Sequence, residues 1–318
     1  MESIYNIFNT YISNVNNEDE ENVIAQTLLA NFEITQEEME ERGYVGLRES
    51  LGKSFIEKNK KIKSFLKNHL DELWINSENI YFRPVYLIDG DINNSATTHN
   101  HKIELNKLPI DDNEIMEISY LTALAHEYYH CTGSIHRRAE RSQYGDMKKL
   151  HINRAGARLY SKKHTSESSA CEEGMAVAFE TKAFDYICAL YTKETVDRYL
   201  KVQEKFCNIM KQRVENTDTY YDNPKEFIIR KLDQTNKKID ACKSYPDALV
   251  LINYLKAQIP DFEKKMEEFR IKGNFLPLAR SIDRIYGKWI FKELVLLDAY
   301  DEDSIAIFIK KLKNKWEE

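Results

Sequence analysis

Apolar residues recur at intervals of three and four along most of the chain, and the rhythm breaks in the middle. Ile4, Phe8 and Ile12 stand four apart, and Val23, Ile24, Leu28 and Leu29 repeat the spacing, which predicts helices across residues 1–72. The acidic run Glu18-Asp19-Glu20-Glu21 suits the N-terminal end of the second of these, where negative charge meets the helix dipole. A third helix is expected from about Gly46 to Trp74 and carries a lysine run over 58–67, read as a solvated face.

The texture changes at Asn76. Residues 80–88, IYFRPVYLI, are aromatic and β-branched and run into Asp89-Gly90, the pattern of a strand and a turn. Pro84 within it points to an edge or a bulge. Residues 97–105 read as a second short strand, on which His99 and His101 alternate to one side. Ile115, Ile118, Leu121 and Ala125 then mark one face of a helix. Asp111, Asp112 or Asn113 can cap its start, and Gly133 is placed for a left-handed cap at its end.

Residues 137–169 are polar and read as irregular. Another helix begins near Ser168, and further helices are expected around 198–215, 224–240, 246–270, 278–298 and 303–316. The resulting fold class is α+β and mainly helical, with a small sheet packed on the helix that ends at Gly133. The expected division is a helical region over 1–75, a mixed core over 76–197 and a helical region over 198–318.

Composition supports this picture. Of 318 residues, 31 % are charged, and only 10 are Gly and 6 Pro, a balance that suits helices better than an all-β fold with many turns. The net charge of −6 gives no basic nucleic-acid footprint. Five cysteines without a CxxC pair read as reduced thiols rather than a disulfide framework. No basic n-region with an apolar run opens the chain, and no stretch approaches about 18 uncharged apolar residues. The expectation is a cytoplasmic protein with no membrane or nucleic-acid partner, with signal-less export left open.

The helix before Gly133 carries His126-Glu127-Tyr128-Tyr129-His130. Residues four apart share a helix face, so both imidazoles can reach one metal ion. Zn²⁺ accepts nitrogen and carboxylate ligands, keeps an open position for water and lowers the pKa of that water. Glu127 lies one step round and can take the proton as general base without being a ligand.

A catalytic zinc needs a third protein ligand. His136 completes an H-E-x-x-H-x-x-G-x-x-H spacing. Glu172 and Glu173, in the later stretch CEEGMAVAFE, offer carboxylates instead. At these residues the chain resembles the gluzincin branch of the zincin metallopeptidases. The stretch EEGMAVAFE is similar to the zinc-ligand helix of the neutral aminopeptidases, and HCTGSIHR is similar to the antirestriction-type zincin domain. The resemblance covers about residues 76–185 and implies a zincin core, a Zn²⁺ cofactor, His126, His130 and Glu173 as ligands, and Glu180 as a later acidic partner. Two features depart from it. The 42 residues between His130 and Glu173 exceed the aminopeptidase spacing, and no glycine-rich exopeptidase motif lies upstream.

Further candidates are weaker. His99 and His101 could contact substrate, and Arg137 and Arg138 could bind its carboxylate, though a surface ion pair is the plainer role for both arginines. Tyr128 and Tyr129 belong in the core. Glu172, Glu180 and Asp185 could orient the ligand histidines. Cys131 reads as a buried, inert thiol. With 19 tyrosines the residue that stabilises an oxyanion cannot be picked from sequence. The expected function is a zinc metallopeptidase acting on a peptide or protein substrate. The alternatives are a non-catalytic zincin-fold regulator and a zinc hydrolase of another amide or ester.

Overall fold

The computed structural model describes residues 9–15, 19–20, 22–24, 45–78, 80–89, 96–98, 102–108, 110–141, 147–160, 166–215, 228–231, 239–242 and 245–314. The elements within them form a mixed α+β fold in which helices predominate. The polar stretch after Gly133 forms a sheet, not irregular chain. Strands β1 (Thr10–Ser13), β6 (Ile135–Arg141), β7 (Met147–Ala155), β8 (Arg158–Tyr160) and β9 (Ser166–Ser168) lie side by side in that order. Strands β6 (IHRRAER) and β7 (MKKLHINRA) run charged residues together and lack the apolar–polar alternation that marks a half-buried strand. Ile12, expected on a helix, lies on β1, which pairs parallel to β6. Ile4, Phe8, Leu28 and Leu29 lie outside the described residues.

A second sheet has the order β2 (Val45–Gly46), β3 (Val85–Ile88), β5 (Ile103–Asn106), β4 (Ala96–Thr98). The single strand expected over 97–105 is thus two antiparallel strands, β4 and β5. Strand β3 starts only after Pro84, whose ring offers no N–H to a ladder while its carbonyl accepts from Ile103 at 2.8 Å.

Helix α1 (Leu47–Glu72) packs on α2 (Asn113–Thr132), and α2 packs on α3 (Ala170–Cys188). Asp112 caps α2, its side chain accepting from the N–H groups of Glu114 at 3.1 Å and Ile115 at 3.3 Å. Ile115, Ile118, Leu121 and Ala125 are buried, and so are Tyr128 and Tyr129 on other sides of the same helix. A helix buried on most sides lies inside the fold, not on its surface.

Gly133 does not take the left-handed conformation. Its φ of −69° and ψ of 133° are extended, and the chain passes directly into β6. Glycine is required there by close approach: a Cβ would stand 2.7 Å from the Cα of Gly156.

Helix α4 (Lys193–Glu215) follows α3. The helix expected over 224–240 is instead the hairpin β10 (Ile228–Lys231) and β11 (Ile239–Cys242). The span 246–270 divides into α5 (Pro246–Gln258) and α6 (Phe262–Lys272), broken at Pro260, which cannot continue a helix. The span 278–298 divides likewise into α7 (Leu276–Tyr286) and α8 (Ile290–Leu294), separated by Gly287, and α9 (Glu302–Asn314) follows. One core cluster joins α1, α2, α3 and helices α5 to α9.

The lysine run on α1 is only partly solvated. Lys60 and Lys61 are exposed, whereas Lys58 pairs with Glu117 at 2.6 Å and Lys63 lies 4.9 Å from the Tyr128 ring centre. Among the described residues no helix is long and apolar enough to cross a membrane, and Cys131, Cys171 and Cys188 are free thiols.

Candidate metal centre

His126 and His130 stand one turn apart on α2, and their rings meet edge to face with centroids 4.8 Å apart. Glu173 enters the same gap from the first turn of α3. The two Nε2 atoms are 3.1 Å apart, and Glu173 Oε2 lies 3.3 Å from that of His126 and 3.4 Å from that of His130. Donors held about 2.0–2.2 Å from one tetrahedral centre stand about 3.3–3.6 Å from each other. The triangle therefore has the size of one face of such a site, and the three residues could hold a metal ion.

The other nitrogen of each imidazole also meets a carboxylate. Glu180 Oε2 is 3.3 Å from His126 Nδ1, and Glu172 Oε1 is 3.0 Å from His130 Nδ1. These contacts fix both rings with Nε2 turned inward, the arrangement in which an outer carboxylate orients a metal-binding histidine. Glu172 thus lies beside the candidate ligand Glu173 without joining it.

Glu172 is itself held from three sides. Arg270 of α6 donates through Nε at 2.9 Å and through Nη2 at 2.8 Å, and the Ala157 N–H donates at 2.6 Å. Arg270 is 0 % exposed. Its Nη1 also pairs with Glu267 at 2.7 Å, its Nη2 donates to the Tyr129 carbonyl at 2.9 Å, and its guanidinium carbon lies 3.8 Å from the Tyr129 ring centre. The Tyr129 hydroxyl donates to Glu267. A closed buried network therefore ties His130 to α6, and each charge in it has a partner, which burial demands.

The electrostatics favour positive charge between α2 and α3. Burial opposes protonation of His126, yet Glu173, Glu180 and Glu127 raise its pKa well above the ordinary value. His130 moves up for the same reasons, with Glu173 and Glu172 outweighing burial. Burial would raise Glu173, but His130 and His126 hold it well below the usual carboxylate range. Glu172 is depressed too, burial being outweighed by Arg270 and His130.

Glu127 is 9 % exposed and sits beside His126 on α2. Among the described residues its carboxylate has no hydrogen-bond or ion-pair partner. Its carbonyl accepts from Thr98 Oγ1 at 3.4 Å, which places the edge strand β4 along this helix.

His136, the competing third ligand, lies elsewhere. It is on β6, stacked on Tyr11 with centroids 5.0 Å apart, and lines a separate cavity with Arg154 and Phe269. His99 and His101 fall outside the described residues. Asp185 is exposed near the far end of α3 and has no part in the centre. Cys131 is buried and accepts from Arg83 Nη1 at 3.2 Å. Arg138 is half-buried, whereas Arg137 is buried, contrary to the surface role expected of it.

Two contributors were not anticipated. Arg158 of β8 pairs with Glu173 Oε1, leaving Oε2 toward the histidines. No periodicity announced it, because its hairpin read as irregular chain. Arg270 did leave a signal: it occupies the position where the apolar row Phe262, Met266 continues, and a charge on a buried stripe implies a buried partner.

No protein-family model, no curated protein and no solved structure matches this chain.

Proposed function

We propose that the protein is a zinc-dependent hydrolase with a zincin-like core, acting on peptide bonds, with His126, His130 and Glu173 as ligands and Glu127 as general base. The observation that carries this reading is the triangle of 3.1, 3.3 and 3.4 Å between the three donor atoms, with a carboxylate behind each imidazole. The donor set fits zinc, which takes imidazole nitrogen and carboxylate oxygen and keeps a position open in catalytic sites.

When bound, zinc supplies Lewis acidity, which acidifies water and polarises a carbonyl. The protein's own groups do the rest. Glu180 and Glu172 hold the imidazoles with Nε2 inward, and Arg158 orients Glu173. Glu127, buried and without a partner among the described residues, takes a proton from the attacking water and passes it to the leaving amine. Strand β4, beside α2, is the outer strand of its sheet among the described residues, and an extended peptide can add to it as a further strand.

The test is Glu127→Gln. Turnover of a broad peptide library by the zinc-loaded protein should be lost while zinc content stays at the wild-type level. Unchanged turnover in this variant removes the reading, and absence of cleavage by the wild-type protein would leave a zinc-binding protein without peptidase activity.

A further inference from the structure

Register and alternation divide the five-stranded sheet into two faces. His136, Arg154 and Leu159 are cross-strand neighbours, and all three line the cavity on one face. Arg137 follows His136 and turns to the opposite face, paired with Ile12 and Ile152 across a bulge. Arg158 shares this second face through the row Ile135, Ala155, Arg158.

Arg137 is 8 % exposed, its Nε has no hydrogen bond, and no carboxylate pairs with it among the described residues. Its charged neighbour is another buried guanidinium, that of Arg83. A buried cation without an anion is strongly unfavourable. Arg137's face of the sheet reaches the candidate metal centre through Arg158. Arg83 donates to Cys131, the residue after His130, at 3.2 Å. Arg158, on the same face as Arg137, pairs with Glu173.

We propose that Arg137 anchors a carboxylate carried by the substrate, on the sheet face it shares with Arg158, the partner of Glu173. This rests on the hydrolase reading and narrows its substrates to carboxylate-bearing peptides. A carboxylate supplies the missing counter-charge, and its two oxygens match the fork of a guanidinium. The α-carboxylate of a peptide and an Asp or Glu side chain share this chemistry.

Binding of three probes to the full-length protein, measured by calorimetry after chelation of metal, distinguishes these sources. The probes are acetyl-trialanine as the free acid, the same peptide as its amide, and acetyl-Ala-Glu-Ala amide. At least one carboxylate-bearing probe should bind about tenfold or more tighter than the uncharged amide, the ratio given by one charge-assisted hydrogen bond. Arg137→Met should abolish that preference, and Arg137→Lys should retain part of it, since an ammonium attracts charge without presenting a fork. Without peptide, Arg137→Met should unfold at the same temperature as wild type or higher, because it removes an unpartnered charge. Equal binding of all three probes, a preference that survives in Arg137→Met, inorganic phosphate binding through Arg137 with no carboxylate preference, or a large loss of stability in Arg137→Met would each overturn the proposal. Zinc content, measured separately on the same preparations, shows whether the metal reading fails on its own.

Discussion

Glu172 faces His130, not the position where its neighbour Glu173 points: Glu172 Oε1 lies 3.0 Å from His130 Nδ1, on the outer side of the ring. Two adjacent glutamates on one helix turn thus face different ways, Glu173 toward the gap between the two histidines and Glu172 behind one of them. Replacing Glu172 with Gln keeps the shape and removes the charge behind the imidazole. Zinc affinity should fall about 10–100-fold, as for other outer-sphere partners, with the fold retained. Competition against a fluorescent chelator measures it, and unchanged affinity would show that Glu172 serves only Arg270.

Arg270 holds Glu172 and Glu267 together, and all three are buried. Arg270→Met leaves two carboxylates buried without their cation, and breaking such a group costs about 3–5 kcal/mol. Chemical denaturation should show a loss of that order. The double variant Arg270→Met, Glu267→Gln should recover part of it, because one of the stranded charges is gone.

The turn at Gly156 is the tightest steric point near the centre. Its φ is +59°, and a Cβ would come within 2.5 Å of Glu172 Cδ. Gly156→Ala should destabilise by at least about 1 kcal/mol from the backbone alone. It should also weaken zinc binding, because Glu172 must move. A variant as stable as wild type with unaltered zinc affinity would contradict the packing described here.

Much of the centre was legible in sequence, for a definite reason. Two histidines four apart on a patterned helix must share a face, and a first-turn glutamate on a second buried helix has few other partners. Glu173 and Glu180 came from the resemblance of EEGMAVAFE to the gluzincin ligand helix, and Tyr128 and Tyr129, placed between the two histidines on a helix that packs inward, are buried as expected. The β6–β9 part of the sheet was not legible, because its strands mix charged and apolar residues. Arg158 and Gly156 were lost with it. The buried Arg137 was opaque for another reason: arginine is normally a surface residue, and only tertiary packing places this one inside.

His69 gives the fold a defined pH dependence. It is buried, its pKa is lowered to about 4 first by burial and then by Lys182, and Lys182 Nζ donates to its Nδ1 at 2.9 Å. The folded state keeps this ring neutral, while the unfolded chain protonates it near pH 6.5. Its contribution is therefore fully present above about pH 6.5 and is lost as the pH falls toward 4, amounting to about 3 kcal/mol over that window. His69→Leu should flatten the pH dependence of stability between these limits relative to wild type. Parallel wild-type and variant curves would show that His69 titrates normally.

The central claim is that Glu173, rather than His136, completes a site begun by His126 and His130. X-ray absorption at the zinc edge, on protein reconstituted with one equivalent of zinc and on Glu173→Ala and His136→Ala, tests it most directly. The account predicts one zinc per chain with two imidazole nitrogens and a carboxylate oxygen, each at about 2.0–2.2 Å. It further predicts that Glu173→Ala loses the oxygen ligand and most of the affinity while His136→Ala changes neither. Three imidazoles in the wild-type spectrum, a site unaffected by Glu173→Ala, or a protein that takes up no zinc would contradict it.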